Sequence, residues 1–347
     1  MVMFELKKQV RPNIWELEPY SCARDEFKGE ASVYLDANEN PFDLPFNRYP
    51  DPLQKNLKSE IKKIKGIKCR NTFLGNGSDE AIDLLYRIFC EPQKDNVVAI
   101  TPTYGMYKVC ADINNVEYRN VLLDENFQIK AEALLERTDE NSRIIWLCSP
   151  NNPTGNLLDP LEIEKILMRF NGIVVIDEAY IDFADAESWS KRLSEFPNMV
   201  ILQTLSKAWG CAGLRLGIAY ASEAIIALFN KVKYPYNVND SSQKIAAETL
   251  RQYGIFKERR DTIIDEREKL KSNLLNLPFV KHIYPSDANF ILVKVDNANA
   301  TYQYLVKDGI IVRNRNSVVL CENSLRITIG TPKENEILLD TLKKMPY

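Results

Sequence analysis

Five short apolar runs, at residues 97–101, 116–123, 143–148, 172–177 and 199–204, alternate with stretches of helical periodicity such as 104–111 and 161–170. Several of the runs are continuously apolar, which a strand needs when both of its faces are covered. Strand and helix in alternation place parallel strands side by side with helices on either face. The expected fold is therefore α/β, with a large, mostly parallel sheet flanked by helices. Such sheets bind ligands beyond the carboxyl ends of their strands. The residues that follow each run are the candidates for chemistry.

Past 216–220 the chain turns helical, at 243–250 and 256–275, and then offers runs at 290–295, 309–312, 318–321 and 325–329 before a helix near 334–345. This second alternation predicts a smaller α/β domain over 245–347, following a large domain over 41–244. A length of 347 residues suits two domains. Residues 1–40, interrupted by Pro12 and Pro19, show little periodicity and read as an arm laid over something else. Ile61, Ile64 and Ile67 recur at a spacing of three in the lysine-rich segment 55–68, which reads as one amphipathic helix with a solvated basic face.

A net charge of -3 with 27% charged residues argues against a dedicated nucleic-acid binder. No apolar run approaches the roughly 18 residues of a membrane span. Glu5 follows Met1-Val2-Met3-Phe4 before a secretory core can form, so a cytoplasmic location is expected. Cysteines 22, 69, 90, 110, 148, 211 and 321 are scattered without a CxxC and read as reduced thiols. The one histidine, His282, argues against a His-based zinc site or triad and reads as a bystander; no metal is expected.

Gly75-Asn76-Gly77-Ser78-Asp79-Glu80 opens a helical stretch. The backbone N–H groups of Ser78 and Asp79, aided by the helix dipole, suit a phosphate, although the same residues are ordinary helix caps. Neither a Walker A nor a Rossmann fingerprint is present. Tyr104 follows the run ending at Thr101, where its ring could stack on a flat ligand or fill a core. Asn152, in Ser149-Pro150-Asn151-Asn152-Pro153-Thr154-Gly155, could donate an amide N–H to a phenolate oxygen, or belong to a plain turn. Asp177 ends an apolar run, a costly place for an unpaired carboxylate. A pyridine nitrogen is a fitting partner, and capping a helix is the other use. Tyr180, three residues on, can project to the same side. Lys207 lies among Thr204, Ser206 and Arg215. A neutral lysine amine forms Schiff bases, and neighbouring cations favour neutrality; a surface loop contains such a lysine too. Hydroxyls and a guanidinium fork would hold a phosphate. In this order the parts build one site for a phosphorylated aldehyde cofactor.

From Asn38-Glu39-Asn40-Pro41, through the Gly75, Tyr104, Asn152, Asp177 and Lys207 motifs, to Ser324-Leu325-Arg326-Ile327-Thr328-Ile329-Gly330, the chain resembles the fold-type I pyridoxal-phosphate enzymes. Within them it is similar to the histidinol-phosphate aminotransferase family of class-II aminotransferases. The resemblance implies pyridoxal 5'-phosphate as cofactor, with Lys207 its covalent anchor and the proton carrier. It implies Asp177 beside the pyridine nitrogen, Asn152 and Tyr180 at the phenolic oxygen, and Tyr104 stacked on the ring. The phosphate falls to the backbone around Ser78 and Asp79, with Thr204, Ser206 and Arg215. Tyr49 would reach the neighbouring subunit's cofactor, which implies a homodimer with composite active sites.

By the same resemblance Arg326 pairs with the carboxylate of glutamate or 2-oxoglutarate, and Arg313 with the phosphate of histidinol phosphate. Tyr20, Asn40 and Pro235-Tyr236-Asn237 fall in substrate-pocket segments, which puts the N-terminal arm at the substrate mouth and beside the small domain. The implied reaction is reversible amino transfer from L-histidinol phosphate to 2-oxoglutarate, giving imidazole-acetol phosphate and L-glutamate in histidine biosynthesis. A threonine-phosphate decarboxylase, an aromatic or general aminotransferase, and a cofactor-free interaction protein on this scaffold are the alternatives. Phe42-Asp43 stands where the family often has glycine, and Cys211 where leucine or alanine is common.

Overall fold

The computed structural model describes residues 4–21, 29, 31–42 and 44–346. Seven strands form the larger sheet: β1 (Thr72–Asn76), β2 (Asn96–Thr101), β3 (Glu117–Leu122), β4 (Ser142–Cys148), β5 (Ile173–Asp177), β6 (Met199–Thr204) and β7 (Leu216–Ala221). Their spatial order is β1-β7-β6-β5-β4-β2-β3. Strands β3, β2, β4, β5 and β6 are parallel, whereas β7 runs antiparallel to β6 and to β1. All five runs expected as strands are strands. The β-branched residues of β5 alternate between two cores: Val174 and Ile176 pack in one, Ile173 and Val175 in the other. That two-sided burial explains why these strands read as unbroken apolar runs.

Four antiparallel strands form the second sheet: β8 (Val280–Ile283), β9 (Phe290–Val295), β10 (Arg313–Asn314) and β11 (Ser324–Thr328), in the order β10-β11-β9-β8. Leu270 and Leu274 of helix Tyr253–Leu274 and Leu338 and Leu342 of helix Pro332–Lys343 bury its outer face. Two expected strands are absent. Residues 309–312 are irregular, and 318–321 form turns in which the Val318 N–H donates to the Arg315 carbonyl and the Cys321 N–H to the Val318 carbonyl. Apolar runs of four residues have no periodicity that separates a strand from a buried turn.

The lysine-rich helix spans Lys55–Lys65 and ends at Gly66, whose left-handed φ of 74° lets its N–H reach the Lys62 carbonyl. Ile67 lies beyond it. Its basic face is not wholly solvated: Lys58 is buried, and burial pushes its amine down to about 8. Helix Asp240–Arg251 packs against this one, with Arg251 on Glu60, and contains residue 245. The arm's residues 4–16 lie over the larger sheet's core through Val10 and Ile14, with Arg11 paired to Glu91; this part of the arm makes no contribution to the second sheet's core.

Cys69, Cys90, Cys110, Cys148, Cys211 and Cys321 are free thiols, Cys211 being packed beside Trp209; Cys22 and Asp43 lie outside the described residues. Among the described residues no helix is long and apolar enough to cross a membrane, and no His, Cys, Asp and Glu side chains cluster in a way that could hold a metal. His282 is exposed, edge-on to Tyr284.

Candidate active site

The carboxyl ends of β2, β4, β5 and β6 open onto a cavity of about 750 Å³. Ser78, Asp79, Tyr104, Asn152, Asp177, Tyr180, Thr204, Ser206, Lys207, Arg215, Arg313 and Arg326 all line it. Register explains part of this convergence. Cys148, Asp177 and Leu202 are neighbours across β4, β5 and β6, so the loops after these strands start from one level.

Asp177 forms the floor. It is buried, its Oδ1 accepts the Ala179 N–H at 3.0 Å, and its Oδ2 accepts the Tyr107 hydroxyl at 2.6 Å. Burial pushes its carboxyl up to about 6, against the pull of those two donors and of Lys207. Desolvation therefore outweighs the hydrogen bonds while nothing cationic touches the group. A protonated ring nitrogen is the partner that would reverse the balance.

Lys207 is accessible from the cavity, with its Nζ 5.7 Å from the centre of the Tyr180 ring. The surrounding walls lower its basicity most, and Arg326 adds to this. The Tyr180 phenol is held well above its usual range, first by burial, and so stays protonated. The Asn152 amide donates to the Tyr180 oxygen at 3.3 Å, which leaves the phenol's own hydrogen free for another acceptor. The other end of the Asn152 amide, Oδ1, accepts from Arg326 Nη1 at 2.5 Å.

The helix Gly77–Phe89 points its first turn at the cavity. The Asn76 side chain does not cap that turn and donates to the Asn237 carbonyl; the Gly77 N–H donates to the Arg215 carbonyl at 2.8 Å, and Ser78 and Asp79 line the cavity. Gly77 has a φ of 71°, and a Cβ there would lie 2.6 Å from Arg215 Nη2. A Cβ on Gly217 would come within 2.1 Å of the Gly77 carbonyl carbon. Only glycine allows this close approach of two backbones. Arg215 Nη2 reaches Asp79 Oδ2 at 3.3 Å, and Asp79 Oδ1 accepts the Tyr104 hydroxyl at 3.0 Å. Thr204 Oγ1 donates to the Leu216 carbonyl and contacts Ser206 Oγ at 3.0 Å. Uncapped N–H groups, two hydroxyls and a guanidinium around one end fit a phosphate.

Two further residues that no motif marks serve the cavity. Tyr107, within the expected helical stretch 104–111, is buried and stacked on Trp146 at 4.8 Å, yet its hydroxyl serves Asp177. Arg315 also lines the cavity. Its signal was its place two residues after Arg313, the same side of an extended chain. Tyr20, Asn40 and Tyr49 are not brought to the cavity. Tyr20 is exposed, and Asn40 Oδ1 accepts the Phe42 N–H. Tyr49 stacks on Tyr236 at 4.4 Å in a separate hollow, while Asn237 bonds the Leu74 carbonyl and Glu80.

Residues 38–342 match the family model described as aminotransferase class I and II. A histidinol-phosphate aminotransferase of Bacteroides thetaiotaomicron is 59% identical over 343 residues, covering 99% of each chain. The crystal structure of the histidinol-phosphate aminotransferase from Clostridium acetobutylicum superposes with a TM-score of 0.79 at 25% identity, covering 88% of this chain and 97% of that one. The Sinorhizobium meliloti histidinol-phosphate aminotransferase, solved with pyridoxal-5'-phosphate, gives 0.78 at 22% identity, covering 86% and 84%.

Proposed function

Since this chain belongs to the class I and II aminotransferases, we propose that it transfers the amino group of L-histidinol phosphate to 2-oxoglutarate, with pyridoxal 5'-phosphate as cofactor. One observation carries the reading. A lysine, a buried carboxylate and a helix N-terminus without a side-chain cap meet in one cavity whose far side holds arginines that no carboxylate pairs with among the described residues.

The residues fit the cofactor. Ser78 and Asp79 with Thr204, Ser206 and Arg215 would hold its phosphate, Asp177 its ring nitrogen, Asn152 and Tyr180 its phenolic oxygen, and Tyr104 its ring face. When bound, pyridoxal phosphate supplies the carbonyl that takes the amino group and a ring that accepts the electron pair left by a broken C–H bond. Asp177 holds a proton at the ring nitrogen. Lys207 Nζ moves the proton of the substrate's amine-bearing carbon, a task suited to an amine whose basicity its surroundings have lowered. Arg326 takes the glutamate carboxylate and Arg313 the phosphate of histidinol phosphate.

We propose further a homodimer in which Tyr49 completes the neighbouring subunit's cofactor site, with Tyr20 and Asn40 serving the substrate mouth. The proposed chain organisation is an arm over 1–40, a cofactor domain over 41–244 and a small domain over 245–347. The location of Tyr49 outside its own chain's cavity is what such a role requires. Purified protein incubated with histidinol phosphate and 2-oxoglutarate should form glutamate. Carbon dioxide release from O-phosphothreonine without any glutamate formation would instead show a decarboxylase.

A further inference from the structure

Arg313 and Arg326 are paired residues on antiparallel β10 and β11, so their side chains leave the same face directly opposite each other. Arg315 follows two positions on, and its N–H continues the ladder to the Ser324 carbonyl at 2.9 Å. All three side chains line the cavity. Like charges so placed repel, and neighbouring carboxylates usually offset the repulsion. Here, among the described residues, no carboxylate forms an ion pair with any of the three. Arg315 Nε and Arg326 Nε are buried and find no hydrogen-bond partner. Burial, then Arg326 and Arg313, push the Arg315 guanidinium down to about 10. The described residues thus maintain a concentrated positive charge with unused donors and supply no carboxylate to neutralise it. The missing partner is an anion from outside.

The number of donors bears on which anion. A carboxylate has two oxygens, and one guanidinium fork satisfies it. A phosphate monoester has three outer oxygens and close to two charges, enough for several forks. With Arg326 matched to a carboxylate, the pair Arg313 and Arg315 exceeds what a dicarboxylate can use. We infer that Arg315 is a further substrate-holding residue, one that grips the phosphate of the phosphorylated substrate and sets its preference over the dicarboxylate. This rests on the proposed use of a phosphorylated substrate.

Arg315 also lies near Tyr180, so it could instead act through that phenol on the cofactor. The two roles separate by measurement. Cofactor-loaded wild type, Arg315→Gln and Arg315→Lys are titrated calorimetrically with glycerol 3-phosphate and with glutarate, neither of which carries an amine. The pH titration of the bound chromophore is recorded alongside. Arg315→Gln should weaken glycerol 3-phosphate binding by about 10- to 100-fold, the loss of one charge-assisted hydrogen-bonded contact. Glutarate should change by less than about threefold. Arg315→Lys, a point charge without the fork, should fall between, which also covers a Gln variant that folds poorly. The chromophore's titration midpoint should not move. Equal losses for both probes, or unchanged phosphate binding with a shifted chromophore, would overturn the assignment. If the wild type binds glutarate but not glycerol 3-phosphate, the phosphorylated-substrate reading fails and this inference with it.

Discussion

Tyr107 donates its hydroxyl hydrogen to Asp177 at 2.6 Å, from a ring held flat against Trp146. With the Ala179 N–H on the other oxygen, each carboxylate oxygen has one protein donor. Both donors favour the ionised form that a protonated ring nitrogen needs. In the proposed mechanism Tyr107 is thus a positioning residue that would act on the cofactor through Asp177. Its own hydroxyl is held far above the usual tyrosine range, by burial first and by Asp177 next, so it donates at every working pH.

Replacing Tyr107 by Phe removes a donor that lowers the Asp177 pKa. The acidic limb of the kcat/KM profile should therefore move to higher pH, by about one unit for a bond worth roughly 1.5 kcal/mol. A pH profile that superposes on the wild type would remove Tyr107 from the mechanism.

Without cofactor, Asp177 is raised to about 6 and Glu178, buried and bonded by Ser188, Gln203 and the Trp189 N–H, to about 7. In the unfolded chain these groups titrate at about 3.9 and 4.3. Between those values and the native ones, the folded protein holds protons that the unfolded chain has lost, so rising pH favours unfolding. The cofactor-free protein should lose on the order of a few kcal/mol per group between about pH 4 and 7. Urea melts should show this slope, and Asp177→Asn should flatten it.

Lys207→Ala should abolish covalent attachment. After borohydride treatment of the loaded wild type, the peptide containing Lys207 should carry the cofactor's added mass. The same mass on another lysine of the wild type would refute the assignment.

Gly217→Ala forces a Cβ to within 2.1 Å of the Gly77 carbonyl carbon, which is backbone and cannot rotate away. Overpacking of this kind costs about 1–3 kcal/mol of stability. Because Gly77 opens the phosphate end, cofactor affinity should fall as well, by at least about tenfold. Equilibrium dialysis and thermal melts measure the two losses, and an unchanged affinity would detach Gly77 from the phosphate.

The residues after each parallel strand could be read as site candidates because their place follows from topology: any loop leaving a strand's carboxyl end faces the same crevice. Asp177, Lys207 and Asn152 reach the cavity for that reason. Tyr107 could not be found this way, since its hydrogen bond joins positions 70 residues apart and its sequence context is that of a helix core. The antiparallel run of β7 was equally hidden, as an apolar pattern carries no strand direction. The β1 strand was obscured because its Gly75 and Asn76, poor strand formers, are needed for the turn that follows. Arg315 was passed over beside Arg313, because sequence shows charge but not the absence of a counter-ion.

Asn152 has a planar amide whose two ends cannot turn independently. Its nitrogen serves Tyr180 and its oxygen holds Arg326, which comes from a strand 174 residues away. Were a carboxylate to draw Arg326 off, that oxygen would lose its donor and the whole plane would be free to reorient. A tilt at one end is then felt at the other. In the proposed site, the arrival of a carboxylate at Arg326 would thereby be geared by one side chain to the hydrogen bonding of Tyr180.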